Sequence, residues 1–131
     1  QPFFCMKTLI IDDVPQVVEL IRQTLLRAGV ARSPTEIRGS HSVAQARLEL
    51  LRHRPDLIVL DELLPGESSQ DLLHDPALAG IPILLVSATA SQSPAPSAAP
   101  GQIVLGRLPK WGWDALDRVA DEVRRMLSRK P

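Results

Sequence analysis

Acidic residues follow two short apolar segments of this chain. Residues 7–11, Lys-Thr-Leu-Ile-Ile, run directly into Asp12 and Asp13, and residues 57–60, Leu-Ile-Val-Leu, run into Asp61. Such short apolar runs are typical of buried strands, and ligands of an open parallel sheet bind outside the carboxyl ends of its strands. Three carboxylates gathered there would repel one another, which favours a divalent cation as their partner. Because Mg²⁺ prefers a few carboxylate oxygens with water and phosphate, we expect a Mg²⁺ site.

The composition limits the classes of protein to which the chain can belong. It has 131 residues, of which 44% are hydrophobic, enough for one core. The 15 Lys and Arg balance the 15 Asp and Glu, so the basic footprint of a nucleic-acid binder is missing and we expect no direct nucleic-acid partner. The single cysteine, Cys5, cannot form an internal disulfide, which favours a reducing compartment such as the cytoplasm. No apolar run reaches about 18 residues, so we expect no membrane partner.

Short apolar runs alternate with segments of helical periodicity. We predict strands at 7–11, 35–39, 57–61, 83–87 and 102–108 and helices at 14–28, after the N-cap Ser42, at 69–74 and after Asp114. In the first helix we expect one apolar face made of Val17, Leu20, Ile21, Leu25 and Leu26, and in the second a face made of Val43, Ala46, Leu50 and Leu51. This alternation predicts an α/β domain with a five-stranded parallel sheet flanked by helices.

One β/α repeat is broken between the predicted fourth and fifth strands. Residues 88–101 carry prolines at 94, 96 and 100 and contain no Leu, Ile, Val or Phe. Interior prolines remove helical hydrogen bonds and clash with the preceding turn. We therefore predict an extended or mobile Pro-rich loop in place of a fourth helix.

The strand-end motifs together resemble the receiver domain of two-component response regulators, the chemotaxis-regulator family. Asp61 with Leu64-Pro65-Gly66 resembles the family pattern D-x-x-M-P-G, with Leu in place of Met. Ser87-Ala88 resembles its [ST]-A pair, and residues 106–110 resemble a G-x-x-P-K variant of its lysine motif. The resemblance covers about residues 6–128 and implies a flavodoxin-like receiver fold. We expect residues 1–5 to be a leader or an expression remnant and residues 6–131 to be the receiver domain, either stand-alone or excised from a longer protein.

The resemblance also implies roles for the acidic residues. Asp61 would take a phosphoryl group from the phosphohistidine of a sensor histidine kinase or of a histidine phosphotransfer protein. Asp13 and Asp61 would bind Mg²⁺, with Asp12 beside them or acting through water, and the backbone carbonyl of Leu63 would complete the protein ligands. The domain would relay the signal by a conformational change.

Two further residues receive roles from the same resemblance. Lys110 would supply a positive charge to the phosphoryl oxygens, and the hydroxyl of Ser87 would donate to them. Such a domain catalyses its own phosphorylation and dephosphorylation. It is a signalling receiver and not an enzyme that acts on a separate substrate.

The chain departs from the family at positions that serve switching. Arg107 stands three residues before the lysine, where the family usually carries an aromatic residue, and the Pro-rich loop replaces part of the usual output surface. An alternative therefore stays open: a pseudo-receiver that binds proteins without phospho-switching. A phosphatase of the haloacid dehalogenase type would need Asp-x-Asp after the first strand, which Asp12-Asp13-Val14 does not supply.

The remaining candidate side chains have simpler interpretations. The three histidines, His41, His53 and His74, lack a metal-ligand spacing, and we expect surface or structural roles for them. Trp111 and Trp113 are expected to pack the start of the last helix in preference to binding a partner.

Overall fold

A computed structural model of the chain describes residues 7–29, 34–62, 64, 69–87 and 99–109, together with the single residues 118, 121 and 125. Its strands are β1 (Thr8–Ile11), β2 (Ile37–Ser40), β3 (Leu57–Asp61), β4 (Pro82–Ser87) and β5 (Ile103–Pro109). Its α-helices in these ranges are α1 (Pro15–Arg27), α2 (Val43–Arg52) and α3 (Ser69–Leu73). Short 3₁₀ turns cover Pro34–Glu36 and Pro76–Leu78.

The five strands form one parallel sheet in the order β2-β1-β3-β4-β5. This confirms the predicted five-stranded parallel sheet flanked by helices. The strand order reverses between β1 and β3, which is the topological switch point where open α/β sheets bind their ligands. Ile11 at the end of β1 pairs with Leu60 near the end of β3, so the residues that follow both strands meet at one edge.

The core has two layers because the strands are buried on both faces. On one face, α1 contributes Val17, Val18, Ile21 and Leu25, which pack against Ile10, Ile37, Leu57, Val59, Leu84 and Val86. On the other face, α2 and α3 contribute Val43, Ala46, Leu72 and Leu73, which pack against Leu9, Ile11, Ile58, Leu60, Ile83 and Leu85. Near-continuous apolar strands are what a parallel sheet covered on both sides requires.

Two leucines predicted to lie on apolar helix faces are exposed instead. Leu20 is 49% exposed and Leu51 is 84% exposed. Successive helical residues are rotated by about 100°, so Leu20 lies to one side of the buried Ile21. In the same way Leu51 lies beyond Leu50, which packs partly against the core.

The second strand begins two residues later than predicted. Thr35 and Glu36 lie in the 3₁₀ turn that Pro34 opens, and β2 starts only at Ile37. Proline fixes its own φ near −65° and has no N–H to donate to a ladder, which favours a turn at this point.

The predicted Pro-rich loop lies mostly outside the described residues. Its last residues, Ala99 to Gly101, are described and are not helical. The Ala99 N–H donates to the Leu73 carbonyl at 3.2 Å, and the Gly80 N–H donates to the Gly101 carbonyl at 3.2 Å. The end of this segment is thereby attached to the last residue of α3 and to Gly80, which lies between α3 and β4.

The predicted last helix also lies largely outside the described residues, including its expected cap Asp114 and both tryptophans. Its described positions, Arg118, Asp121 and Arg125, are helical and exposed. Across the described residues, no helix combines the length and the apolar character needed to cross a bilayer.

Candidate functional site

Three carboxylates lie together where β1 and β3 end. One side-chain oxygen from each of Asp12, Asp13 and Asp61 lies within 4.8 Å of the others. Asp12 is 1% exposed and Asp61 is 3% exposed, and Asp13 is half-buried. The structure therefore brings together the three acidic residues that the sequence singled out.

The hydrogen bonds of Asp12 fix the turn that leaves β1. Its N–H donates to the Ser40 carbonyl at 3.0 Å, which extends the β1–β2 ladder by one residue. Its Oδ1 accepts the N–H of Val14 at 2.9 Å. A side-chain acceptor two residues before the donor is an Asx turn, which redirects the chain into α1.

Asp61 is the last residue of β3, and its position is set by the neighbouring strand β4. Its register partner there is Val86. The next residue, Glu62, donates its N–H to the Val86 carbonyl at 3.0 Å. The β3–β4 ladder holds the backbone of Asp61, and the residue is almost fully buried. The Asp61 carboxylate therefore has little freedom to move.

The other predicted site residues are described only in part. Ser87 ends β4, and its register partner is Pro109 at the end of β5. Leu64, which directly precedes the motif proline, is buried in the core. Leu63 and Lys110 lie outside the described residues, so their predicted roles stay predictions.

Sequence reasoning missed one residue at this edge. The Nδ1 atom of His41 lies 3.2 Å from the backbone carbonyl oxygen of Asp12. His41 directly follows β2, and β2 neighbours β1 in the sheet. The signal that could have found it is therefore positional: a polar side chain at the carboxyl end of a strand that neighbours β1.

The donor set fits a hard divalent cation. Carboxylate oxygens suit Mg²⁺, Ca²⁺ or Mn²⁺, whereas Zn²⁺ and copper sites usually include nitrogen or sulfur ligands. Two of the three carboxylates are buried, and ionised groups so close together are costly unless a positive charge offsets their repulsion. The cluster can therefore hold a cation, and the charge of that cation would reduce this repulsion.

Comparison with curated proteins places part of this chain beside a regulatory protein. No protein-family model matches the chain. Over 82 residues, 61% of the chain, it is 38% identical to the "Probable transcriptional regulatory protein TcrX" of Mycobacterium tuberculosis. The match spans 33% of that protein, so the chain corresponds to about a third of its relative's length.

Solved structures share the fold of this chain. The receiver domain of a signal transduction histidine kinase from Syntrophus aciditrophicus superposes with a TM-score of 0.71 at 24% identity, covering 97% of this chain and 96% of that one. The chemotaxis response regulator CheY4 of Vibrio cholerae gives a TM-score of 0.68 at 20% identity, covering 92% and 99%. The N-terminal domain of a response regulator/sensory box/GGDEF protein from Carboxydothermus hydrogenoformans gives a TM-score of 0.68 at 18% sequence identity, and the match covers 93% of each chain. The chain therefore has the CheY-like receiver fold of response regulators.

Proposed function

We propose that this chain is a phosphoacceptor receiver domain and that Asp61 accepts the phosphoryl group. The observation that supports this most directly is the cluster of Asp12, Asp13 and Asp61, whose carboxylate oxygens lie within 4.8 Å of one another. The cluster lies at the switch point of the sheet, where open α/β sheets bind their ligands. A receiver needs one carboxylate as nucleophile and others beside it for the metal, and this cluster provides both.

In the proposed reaction, a carboxylate oxygen of Asp61 attacks the phosphorus atom of a phosphohistidine. The P–N bond breaks, and its electron pair stays on the imidazole nitrogen. The products are an acyl phosphate on Asp61 and a histidine without its phosphoryl group. The donor would be a sensor histidine kinase or a histidine phosphotransfer protein.

Mg²⁺ is the proposed cofactor, held by Asp12, Asp13 and Asp61 with the backbone carbonyl of Leu63. When bound, it neutralises charge on the phosphoryl oxygens during an in-line transfer. The residues of the chain orient the acceptor: β3 and β4 hold the backbone of Asp61, and the Asx turn holds Asp12 beside it.

Two residues are proposed to complete the site. Lys110 would place its ammonium against the transferred group, and Ser87 would donate its hydroxyl to it. Supporting this, Ser87 ends β4 one residue after the register partner of Asp61, and its own partner, Pro109, directly precedes Lys110 in the sequence. In this proposal residues 6–131 form the receiver domain, which works in the cytoplasm.

The alternative function is a pseudo-receiver that binds a protein partner without being phosphorylated. Two sequence observations favour it: Arg107 on β5, at a position where receivers usually carry an aromatic residue, and the Pro-rich segment 88–101 in place of a fourth helix. Because both departures affect switching and leave the three carboxylates in place, we favour the phosphoacceptor.

The deciding experiment is incubation with acetyl phosphate and Mg²⁺, followed by intact-mass measurement. We expect a gain of one phosphoryl group in the parent protein and none in Asp61→Asn. Asp71→Asn is the matched control, because it makes the same chemical change at an exposed position in α3. Borohydride reduction of the acyl phosphate, followed by peptide mapping, would locate the modified residue.

Two results would contradict the proposal. A phosphoryl gain that persists in Asp61→Asn would show that another residue is the acceptor. A parent protein that binds Mg²⁺ but gains no phosphoryl group from acetyl phosphate or from phosphohistidine donors would favour the pseudo-receiver.

A further inference from the structure

His41 connects the start of α2 to the acidic turn after β1. Its Nδ1 lies 3.2 Å from the carbonyl oxygen of Asp12, a residue 29 positions earlier in the chain. A carbonyl oxygen can only accept a hydrogen bond. The contact is therefore a hydrogen bond only when Nδ1 carries the proton, so the geometry predicts the Nδ1–H tautomer of the neutral ring.

The backbone of His41 is held by the N-terminus of α2. The N-cap Ser42 accepts the N–H of Gln45 on its Oγ at 3.1 Å. The side chain of Gln45 reaches back, and its Oε1 accepts the N–H of His41 at 2.7 Å. This reciprocal arrangement resembles a capping box displaced by one residue. Val43 and Ala46 pack the same helix into the core, so the backbone of His41 is held in place at the N-terminus of that helix.

The ring contact is a further restraint on Asp12. The N–H of Asp12 bonds to Ser40, and its Oδ1 bonds to Val14. The carbonyl that His41 contacts belongs to the peptide group between Asp12 and Asp13. Holding that peptide plane sets the direction in which the Asp13 carboxylate leaves the backbone.

We propose that His41 is a positioning residue for the cation site. By donating from Nδ1 to the Asp12 carbonyl, it holds the Asp12–Asp13 peptide so that both carboxylates face Asp61. This prepares the cluster for a divalent cation before the cation arrives. The consequence for phosphoryl transfer rests on the proposed function, but the effect on cation affinity does not require any transfer.

The test compares Mg²⁺ affinity, measured by calorimetric titration, among variants of the whole chain. Losing one hydrogen bond that orients the site should weaken Mg²⁺ binding about three- to tenfold in His41→Ala. His41→Asn should restore most of the affinity, because the asparagine amide can place a donor near the position of Nδ1. His53→Ala is the matched control, since His53 is exposed at the opposite end of α2, and it should bind Mg²⁺ as the parent does.

A second measurement needs no variant. At about pH 8, where an ordinary imidazole is neutral, ¹⁵N NMR of the parent should show His41 protonated at Nδ1 and bare at Nε2. An Nε2–H tautomer would overturn the proposal. Parent-like Mg²⁺ affinity in His41→Ala would also overturn it, as would an equal loss of Mg²⁺ affinity in His41→Asn and His41→Ala. A parent protein that binds no Mg²⁺ would overturn it as well.

Failure of the proposed function would look different. A parent that binds Mg²⁺ with the predicted dependence on His41, yet accepts no phosphoryl group, would refute phosphoacceptor activity and leave the role of His41 supported. Normal phosphorylation of the parent, with unchanged Mg²⁺ affinity in His41→Ala, would support the phosphoacceptor function and refute the role of His41.

Discussion

Asp61 is the register partner of Val86 across the β3–β4 pair, so the candidate phosphoacceptor lies beside the residue that precedes Ser87. The ladder continues beyond Asp61, because Glu62 donates its N–H to the Val86 carbonyl at 3.0 Å. One strand further, Ser87 is the register partner of Pro109. Motifs that are far apart in the sequence thus end at the same edge of the sheet.

Mg²⁺ should stabilise the protein against unfolding. A ligand that binds only the folded state at 100 times its dissociation constant adds about 2.7 kcal/mol to the free energy of unfolding. Only the fold brings Asp61 to Asp12 and Asp13, which is why the unfolded chain should bind Mg²⁺ poorly. Urea unfolding in Mg²⁺ and in EDTA would measure the difference. Equal midpoints at saturating Mg²⁺ would contradict the cation site.

Asp13→Asn should change stability in opposite directions with and without the metal. In EDTA the variant should be more stable by about 1 kcal/mol, because it removes one of three like charges held within 4.8 Å. In Mg²⁺ it should lose most of the stabilisation that the parent gains, because a proposed ligand is missing. The same urea experiment reads both effects.

Asp71→Asn is again the matched control for this prediction. Asp71 is exposed in α3 and is not part of the cluster. Its substitution should leave the difference between Mg²⁺ and EDTA unchanged. If Asp13→Asn is destabilised in EDTA, the three carboxylates do not repel one another as the geometry indicates.

Two leucines of α1 should differ sharply in their contribution to stability. Leu25 is fully buried, and Leu25→Ala should lower the free energy of unfolding by about 2–5 kcal/mol. Leu20 is 49% exposed, and Leu20→Ala should cost about 1 kcal/mol or less. Chemical denaturation of both variants would check this. Similar losses at both positions would mean that Leu20 is covered in solution.

Gly39 allows α1 to lie close against β2. A Cβ atom built at this position would lie 2.6 Å from Cγ1 of Val18. Gly39→Ala should therefore destabilise the protein by about 1–3 kcal/mol, as overpacking of a close contact does. In a Val18→Ala background, where that methyl group is gone, the same change should cost clearly less. A double-mutant cycle by urea unfolding measures this difference, and additive costs would exclude the clash.

The sequence by itself determined most of the elements and which acidic residues could form the site. Each short apolar run and each helical period depends on neighbours a few residues apart, so the sheet and its helices could be predicted locally. Asp12 and Asp13 after β1 and Asp61 at the end of β3 could be assigned to one edge, because parallel strands align their carboxyl ends. The exposure of Leu20 could not be predicted from the sequence, since its burial depends on how α1 is rotated against the sheet.

The tertiary structure decided which distant residues meet. Strand order placed β2 beside β1, and so brought His41 to 3.2 Å from the Asp12 carbonyl, 29 residues away. It also placed α1 so close to β2 that Gly39 faces Val18. No local period encodes these contacts, because they arise from the packing of whole elements. The pattern of residues along the chain therefore specifies which side chains can form the site. The packing of the helices against the sheet specifies which atoms hold those side chains in place.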